Sequence, residues 1–113
     1  MHELSVTQGV LDIALEKAKE AEAKRITKIN LVIGELSSIV DDCVQFYFDF
    51  LSNDSIASGA TLYFKRIPAQ VRCRNCGLSF APDKSSWSCP QCGKWNVEVT
   101  AGQEFYVDSI EIE

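Results

Sequence analysis

Apolar residues in the first part of the chain recur at steps of three and four positions. The stripe runs from Leu4 to Lys24, and charged residues occupy the opposite side. This spacing is typical of an amphipathic helix that buries one face. The sequence therefore predicts a long helix over residues 4–24 with a solvated outer face. The apolar positions are Leu4, Val6, Val10, Leu11, Ile13, Ala14, Leu15, Ala18 and Ala21.

A different pattern, alternation of apolar and polar residues, marks three segments as strands. Residues 26–36, 61–67 and 104–112 alternate in this way, and a period of two is characteristic of a strand with one buried face. In the third segment the apolar set shifts by one position between Val107 and Ile110. Such a shift predicts a β-bulge.

The densest apolar cluster lies in residues 41–51. It opens with Asp41 and Asp42, and acidic residues favour the N-terminal turn of a helix because of the helix dipole. We therefore predict a second helix here. Cys43, within this helix, is predicted to be a small core residue, since free cysteine is among the most buried side chains.

The order of these elements predicts an α+β fold with a small three-stranded sheet, two helices and an inserted four-cysteine module that resembles a zinc ribbon. We place the body at residues 1–69 and 99–113 and the module at residues 70–98. A chain of 113 residues has room for one modest core and one small module.

Composition narrows the class of protein. Hydrophobic residues make up 46% and charged residues 24% of the chain, as in folded globular proteins. No apolar run approaches the roughly 20 residues needed to cross a bilayer, and the first residues lack the pattern of a secretory signal. We therefore expect a cytoplasmic protein with no membrane partner. Thiols stay reduced in the cytoplasm, so paired cysteines there favour a metal site over a disulfide.

The charge distribution favours a protein partner over nucleic acid. The net charge is −5, which disfavours sequence-independent binding to the phosphates of nucleic acid. Residues 70–98 carry four basic and two acidic residues, so the rest of the chain is strongly acidic. A zinc-ribbon adaptor that binds proteins or nucleic acid remains the alternative function, although a basic stripe with interleaved aromatic residues is missing.

Four cysteines stand in two pairs of the form C-x-x-C-G, with twelve residues between the pairs. Two residues between thiolates let a tight turn present both sulfurs to one ion, and four thiolates complete a tetrahedron around zinc. An iron–sulfur cluster also uses four cysteines, but this spacing favours zinc. A closed site without a nucleophile beside a base predicts a structural ion and no catalytic residue, hence no enzyme. The predicted zinc ligands are Cys73, Cys76, Cys89 and Cys92.

The single histidine of the chain stands at position 2. A lone histidine is usually an ordinary surface or core residue, but this position changes its chemistry. The α-amine of Met1, the backbone and imidazole nitrogens of His2 and the backbone nitrogen of Glu3 can surround one ion in a plane. Planar nitrogen sets suit Ni(II) or Cu(II). An exposed site of this kind suits reversible metal delivery.

Three segments together resemble the HypA/HybF family of nickel metallochaperones for hydrogenase maturation. They are residues 1–5 (MHELS), residues 33–37 (IGELS) and the late pair of cysteine knuckles. The resemblance runs through the whole chain in order and length. It implies an α/β body that binds nickel through Met1, His2 and Glu3, and a zinc module held by the four cysteines.

The resemblance also implies partners. These are the large subunit of a [NiFe] hydrogenase, which receives the nickel, and a GTPase of the nickel-insertion pathway; in some organisms urease is served too. A homodimer is a further candidate that the sequence itself does not decide. Family members often carry an acid after the residue 33–37 segment that is linked to nickel binding, and here Asp41 and Asp42 are the candidates. Either residue has an alternative role as a cap of the second helix.

Overall fold

The computed structural model describes residues 3–83 and 86–113. Within these residues the strands form two three-stranded sheets, with the orders β2-β1-β6 and β4-β3-β5. This arrangement confirms the predicted α+β class. No helix in the described part of the chain is both long and apolar enough to cross a membrane. The elements are α1 (Glu3–Glu20), β1 (Ile26–Gly34), α2 (Asp41–Leu51), β2 (Thr61–Ile67), β3 (Gln70–Cys73), β4 (Ser79–Phe80), β5 (Val97–Ala101) and β6 (Phe105–Ile112).

The chain divides into two compact units. The first comprises Met1–Val32, Ser38–Lys65 and Phe105–Glu113, and it contains both helices. The second comprises Ile33–Ser37 and Arg66–Glu104, and it contains the sheet formed by β3, β4 and β5 together with four of the five cysteines. The second unit is longer than the zinc module we placed at residues 70–98, because it also includes residues 33–37, 66–69 and 99–104.

The core of the first unit lies where the two helices meet the β2-β1-β6 sheet. In α1 the buried residues recur at helical spacing, as the pattern predicts. In β1 the alternating residues Ile29 and Leu31 are fully buried, and in α2 Val44 and Phe48 are fully buried. Burial of such side chains provides most of the driving force for folding. The cluster comprises Val10, Leu11, Ala14, Ala18, Ile26, Ile29, Leu31, Val44, Phe48, Ala57, Ala60 and Leu62.

Helix α1 ends at Glu20, before the predicted end at Lys24, because the chain reverses there in a Schellman motif. The N–H of Ala23 donates to the carbonyl of Ala18 at 2.9 Å, and the N–H of Glu22 donates to that of Lys19 at 3.1 Å. Glu22 has a φ of 55°, the left-handed conformation that this motif requires. Glycine is the usual residue at that position, so the end is not marked in the sequence.

The prediction that Cys43 lies in the core was wrong, because its side chain is exposed. The buried residues of α2 are Val44 and Phe48, one turn apart. Cys43 precedes Val44 by one position, which places its side chain about 100° around the helix axis from the buried face. Two aromatic residues of the same apolar cluster are also largely exposed, with 69% of Phe46 and 74% of Phe50 accessible.

A close approach of two backbone segments explains the glycine at the end of β1. A Cβ at Gly34 would lie 2.1 Å from the carbonyl oxygen of Gly102 and 2.7 Å from the nitrogen of Gln103. Backbone hydrogen bonds hold the two segments together: the N–H of Gly34 donates to Glu104 at 2.6 Å, and the N–H of Leu36 donates to Gly102 at 2.6 Å. Only glycine fits here without moving the backbone.

We expect Gly34→Ala to lower the free energy of unfolding by about 3 kcal/mol or more, since the added methyl group meets backbone atoms and not a side chain that can move aside. Urea denaturation of the zinc-loaded protein checks this. The matched control is Gly9→Ala in α1, where a Cβ would have no atom within 4 Å. That change should raise stability by up to about 1 kcal/mol, because alanine favours helix. Equal stability of Gly34→Ala and parent would contradict the expectation.

Candidate functional site

The two cysteine knuckles share one backbone conformation. In the first knuckle the N–H of Cys73 donates to the carbonyl of Leu78 at 2.8 Å, and the N–H of Gly77 donates to the carbonyl of Cys73 at 2.8 Å. Gly77 has a φ of +81°, which explains the glycine after each C-x-x-C pair. The second knuckle repeats both bonds, from Cys89 to Lys94 at 2.8 Å and from Gly93 to Cys89 at 2.7 Å, with a φ of +76° at Gly93.

These turns bring all four predicted zinc ligands together. Their Sγ atoms lie within 4.8 Å of one another. Cys73 and Cys92 are 3.6 Å apart at sulfur, and Cys76 and Cys89 are 3.5 Å apart. A tetrahedral ion with metal–sulfur bonds of about 2.3 Å places its sulfurs about 3.8 Å apart, whereas a disulfide requires about 2.05 Å. The cluster therefore fits one tetrahedral ion bound by thiolates.

Burial differs within each pair. The first cysteines of the two knuckles, Cys73 and Cys89, are buried, while Cys92 is half-buried and Cys76 is exposed. Burial raises the pKa of Cys89, but the backbone N–H groups of Cys92 and Gln91 lower it by more, so the net shift is downward. Donors supplied by the knuckle therefore stabilise the thiolate that a metal requires.

The first knuckle separates the pKa values of its two thiols. Backbone N–H groups of Cys76 and Asn75 lower the pKa of Cys73 to about 6. The backbone N–H of Leu78 lowers the pKa of Cys76, but burial and the neighbouring thiols, with Cys89 foremost, outweigh it and raise that pKa to about 11. Four thiols this close cannot all ionise without a cation to offset their repulsion.

Of the predicted nickel ligands, Met1 and His2 lie outside the described residues, and Glu3 opens α1. Hydrogen bonds from the backbone N–H of Glu3 itself and from that of Val40 lower the pKa of the Glu3 carboxyl. Val40 is the N-cap residue of α2. The Glu3 carboxylate therefore connects the start of α1 with the start of α2. Sequence reasoning missed this contact, because an acid in a first helical turn is expected to serve its own helix.

The two acids considered as additional nickel ligands stand at the same helix start. Asp41 is half-buried and Asp42 is exposed. The Oδ1 atom of Asp41 accepts a hydrogen bond from the N–H of Asp42 at 2.9 Å. Neither acid occupies the N-cap position, which belongs to Val40, a residue without a side-chain cap bond. The structure thus brings Asp41, Asp42 and the carboxylate of Glu3 to one end of α2.

Comparison with known proteins gives a consistent result. The sequence model of the family described as "Hydrogenase/urease nickel incorporation, metallochaperone, hypA" matches residues 1–112. The hydrogenase maturation factor HypA of Dehalococcoides mccartyi is 51% identical over 113 residues, which cover 100% of this chain and 95% of that protein. HypA of Caldanaerobacter subterraneus is 46% identical over 114 residues, with 100% of both chains covered.

Two solved structures have the same fold. A solution structure of a HypA protein aligns with a TM-score of 0.75 and 27% identity, covering 100% of this chain and 97% of that one. The solution structure of the Ni metallochaperone HypA from Helicobacter pylori aligns with a TM-score of 0.68 and 26% identity, covering 99% of this chain and 97% of that one.

Proposed function

Because this chain belongs to the HypA family of hydrogenase maturation factors, we propose that it binds Ni(II) at its N-terminus and delivers it to the large subunit of a [NiFe] hydrogenase. It is a metallochaperone and not an enzyme. The observation that carries the proposal is the histidine at position 2, directly before the helix that Glu3 opens. The proposed ligands are the amine of Met1, the backbone and imidazole nitrogens of His2 and the backbone nitrogen of Glu3.

The surroundings of Glu3 support this ligand set. Covalent geometry keeps the amine within about 7 Å of Glu3, and the carboxylate of Glu3 is engaged with the N–H of Val40. The ligand that we propose from Glu3 is its backbone nitrogen and not its carboxylate. Asp41 and Asp42 lie at the same end of α2 and add negative charge that favours a cation.

A blocked amine is expected to abolish this site. Extending the chain by Gly-Ser before Met1 turns the amine into an amide and moves the free amine away from His2. We expect nickel affinity to fall by more than the roughly 100-fold that loss of an outer-shell partner typically costs, because a ligand itself is removed, while the four-cysteine site keeps its metal. Calorimetric titration of the extended and native chains with Ni(II) measures this. Equal affinity of the two proteins would rule out ligation by the amine.

We further propose that the cysteine cluster binds one structural zinc ion. Four thiolates with no open coordination position suit zinc and leave no place for a substrate. The buried sulfurs of Cys73 and Cys89 connect this ion to the interior of the module. The zinc module at residues 70–98 then has a structural role, and residues 1–69 and 99–113 form the nickel-binding domain.

Zinc binding is expected to weaken as the pH falls. At pH 7 the thiol of Cys73, with its pKa of about 6, is already ionised in the metal-free module, whereas Cys76, with a pKa of about 11, still holds its proton. Zinc must displace that proton. As the pH falls from 7 to 5, more of the thiols hold a proton that zinc must displace, so more protons are released per zinc and the affinity falls. Calorimetry in buffers with different ionisation enthalpies counts these protons, and a count independent of pH would contradict the assignment.

The partners follow from the same proposal. Delivery of nickel requires a GTPase of the insertion pathway and the hydrogenase large subunit, and urease is a second recipient where it is present. We propose a cytoplasmic location, because thiols stay reduced in that compartment and can bind a metal.

A further inference from the structure

The helices carry charge of one sign over much of their length. Residues 3–16 and 38–55 contain seven acidic residues and neither lysine nor arginine. The basic residues of α1, Lys17 and Lys19, stand in its last turn. The start of α1 and all of α2 therefore present a negative surface. The acidic residues are Glu3, Asp12, Glu16, Asp41, Asp42, Asp49 and Asp54.

Two phenylalanines interrupt this acidic surface. Phe46 and Phe50 lie one turn apart on α2, where residues four positions apart share one face, and they are 69% and 74% exposed. The ring of Phe46 contacts that of Tyr47 edge to face, with 5.5 Å between centroids. Large apolar side chains that cluster at a surface usually mark an interaction site.

A cleft between the helices continues the apolar surface. It has a volume of about 720 Å³ and is lined by Leu4, Gly9 and Asp12 of α1 and by Tyr47 and Leu51 of α2, among others. Leu4 is 51% exposed. Gly9 stands within α1, where glycine costs about 1 kcal/mol relative to alanine, although a Cβ would have no atom within 4 Å. Glycine here leaves room for a partner's side chain against the helix.

We propose that this surface, the α1–α2 face, docks a basic amphipathic helix of a partner protein. The face consists of Leu4, Gly9, Asp12, Phe46, Tyr47 and Phe50. The apolar side of such a helix would cover the phenylalanines and enter the cleft. Its lysines or arginines would lie against the acidic rim, which consists of Asp12 and Asp49. Helix-in-groove recognition of this kind uses apolar anchors at three- and four-residue spacing, and charge complementarity orients the partner.

The acidic rim also discriminates among occupants. A second copy of the chain would place Asp12 and Asp49 against like charges, which opposes self-association. Nucleic acid and anionic membranes are repelled for the same reason. This inference goes beyond nickel binding. Glu3, whose backbone nitrogen is a proposed nickel ligand, also lines the cleft, but the six residues that define the face are not proposed ligands of nickel or zinc.

Selection of 16-residue peptides from an unbiased displayed library, with the full-length zinc-loaded protein as target, tests the proposal. We expect selected peptides to have a positive net charge and apolar residues at steps of three and four. Their affinity should fall at least about tenfold for Phe46→Ser/Phe50→Ser, as for loss of central aromatic anchors. Asp12→Asn/Asp49→Asn should weaken binding less and reduce its dependence on salt.

Matched controls separate the face from general stickiness. Trp95→Ser removes another largely exposed aromatic side chain, 68% accessible, and Asp108→Asn removes an exposed charge from β6; both should leave peptide affinity unchanged. Nickel binding should be unchanged in Phe46→Ser/Phe50→Ser, which separates this test from that of the nickel site. The proposal would be overturned if no peptide were enriched, if the enriched peptides were acidic, or if they bound Phe46→Ser/Phe50→Ser as tightly as the parent. It would also be overturned if the parent formed a dimer that Phe46→Ser/Phe50→Ser did not form, because the face would then be the contact between two copies.

Discussion

His2→Ala is expected to abolish specific nickel binding while leaving the zinc content and the fold unchanged. The imidazole is the only side-chain nitrogen in the proposed ligand set, and the chain has no other histidine to replace it. The loss should exceed the roughly 100-fold that removal of an outer-shell partner typically costs. Calorimetric titration of untagged, zinc-loaded protein with Ni(II) measures the affinity, and the far-ultraviolet circular dichroism spectrum reports the fold.

Two changes at position 3 provide matched controls for that experiment. In Glu3→Ala the backbone nitrogen remains, so nickel binding should persist with only a modest loss from the missing contact to Val40. In Glu3→Pro the nitrogen has no proton to lose and cannot ligate. Proline is tolerated at the first position of a helix, where Glu3 stands, so the fold should survive. Nickel binding that is lost in Glu3→Ala as well as in Glu3→Pro would assign the ligand to the carboxylate instead, and binding that survives in both would remove residue 3 from the ligand set.

Cys73→Ala is expected to release zinc and unfold the cysteine module. Among its described residues, the second unit has few large buried side chains, chiefly Ile33, Val71 and the two buried cysteines, and Trp95 is 68% exposed. Ordering a residue costs about 1–2 kcal/mol of backbone entropy, whereas a structural zinc ion contributes about 10–16 kcal/mol in small zinc modules. Zinc content, together with amide chemical shifts that lose their dispersion over residues 70–101, checks the expectation.

The fifth cysteine supplies the control for that result. Cys43 is exposed on α2 and lies outside the cluster of four sulfurs. Cys43→Ala should therefore keep one zinc per chain and the stability of the parent. If Cys73→Ala kept its zinc and its amide dispersion, the ion would not hold the module together, and the structural role proposed here would fail.

Elements with a strong period were predictable from the sequence. The bounds predicted for β2 and α2 are the observed ones, and those predicted for α1, β1 and β6 differ from the observed bounds by a few residues. On β6 the residues Phe105, Val107 and Ile110 all pack against the core, which agrees with the predicted shift of one position. Period alone suffices here because burial of one face decides each of these elements.

Features set by tertiary contact were not predictable. Glu22 adopts a left-handed conformation that is not predictable from the sequence. The predicted end of α1, Lys24, therefore lies beyond the observed end at Glu20. Cys43 was assigned to the core by composition, but a helix buries only one stripe, and the neighbouring Val44 occupies it. The exposure of Phe46 and Phe50 was not predictable for the same reason, since apolar content does not reveal which face of a helix packs against the core.

The candidate sites divide along a similar line. The spacing of the four cysteines was enough to predict their convergence, because the ligand geometry of each knuckle is local. Contact between Glu3 and Val40 joins distant parts of the chain and became visible only in the fold. Nickel ligation by Met1 and His2 stays a prediction that rests on the chemistry of the N-terminus and on family membership.

The absorption spectrum of untagged, zinc-loaded protein after addition of one equivalent of Ni(II) tests the central claim most directly. A planar four-nitrogen site predicts one bound nickel per chain, the d–d absorption of planar Ni(II), and retention of the zinc. Sulfur-to-nickel charge-transfer bands with release of zinc, or the absence of any specific binding, would contradict nickel binding at the N-terminus.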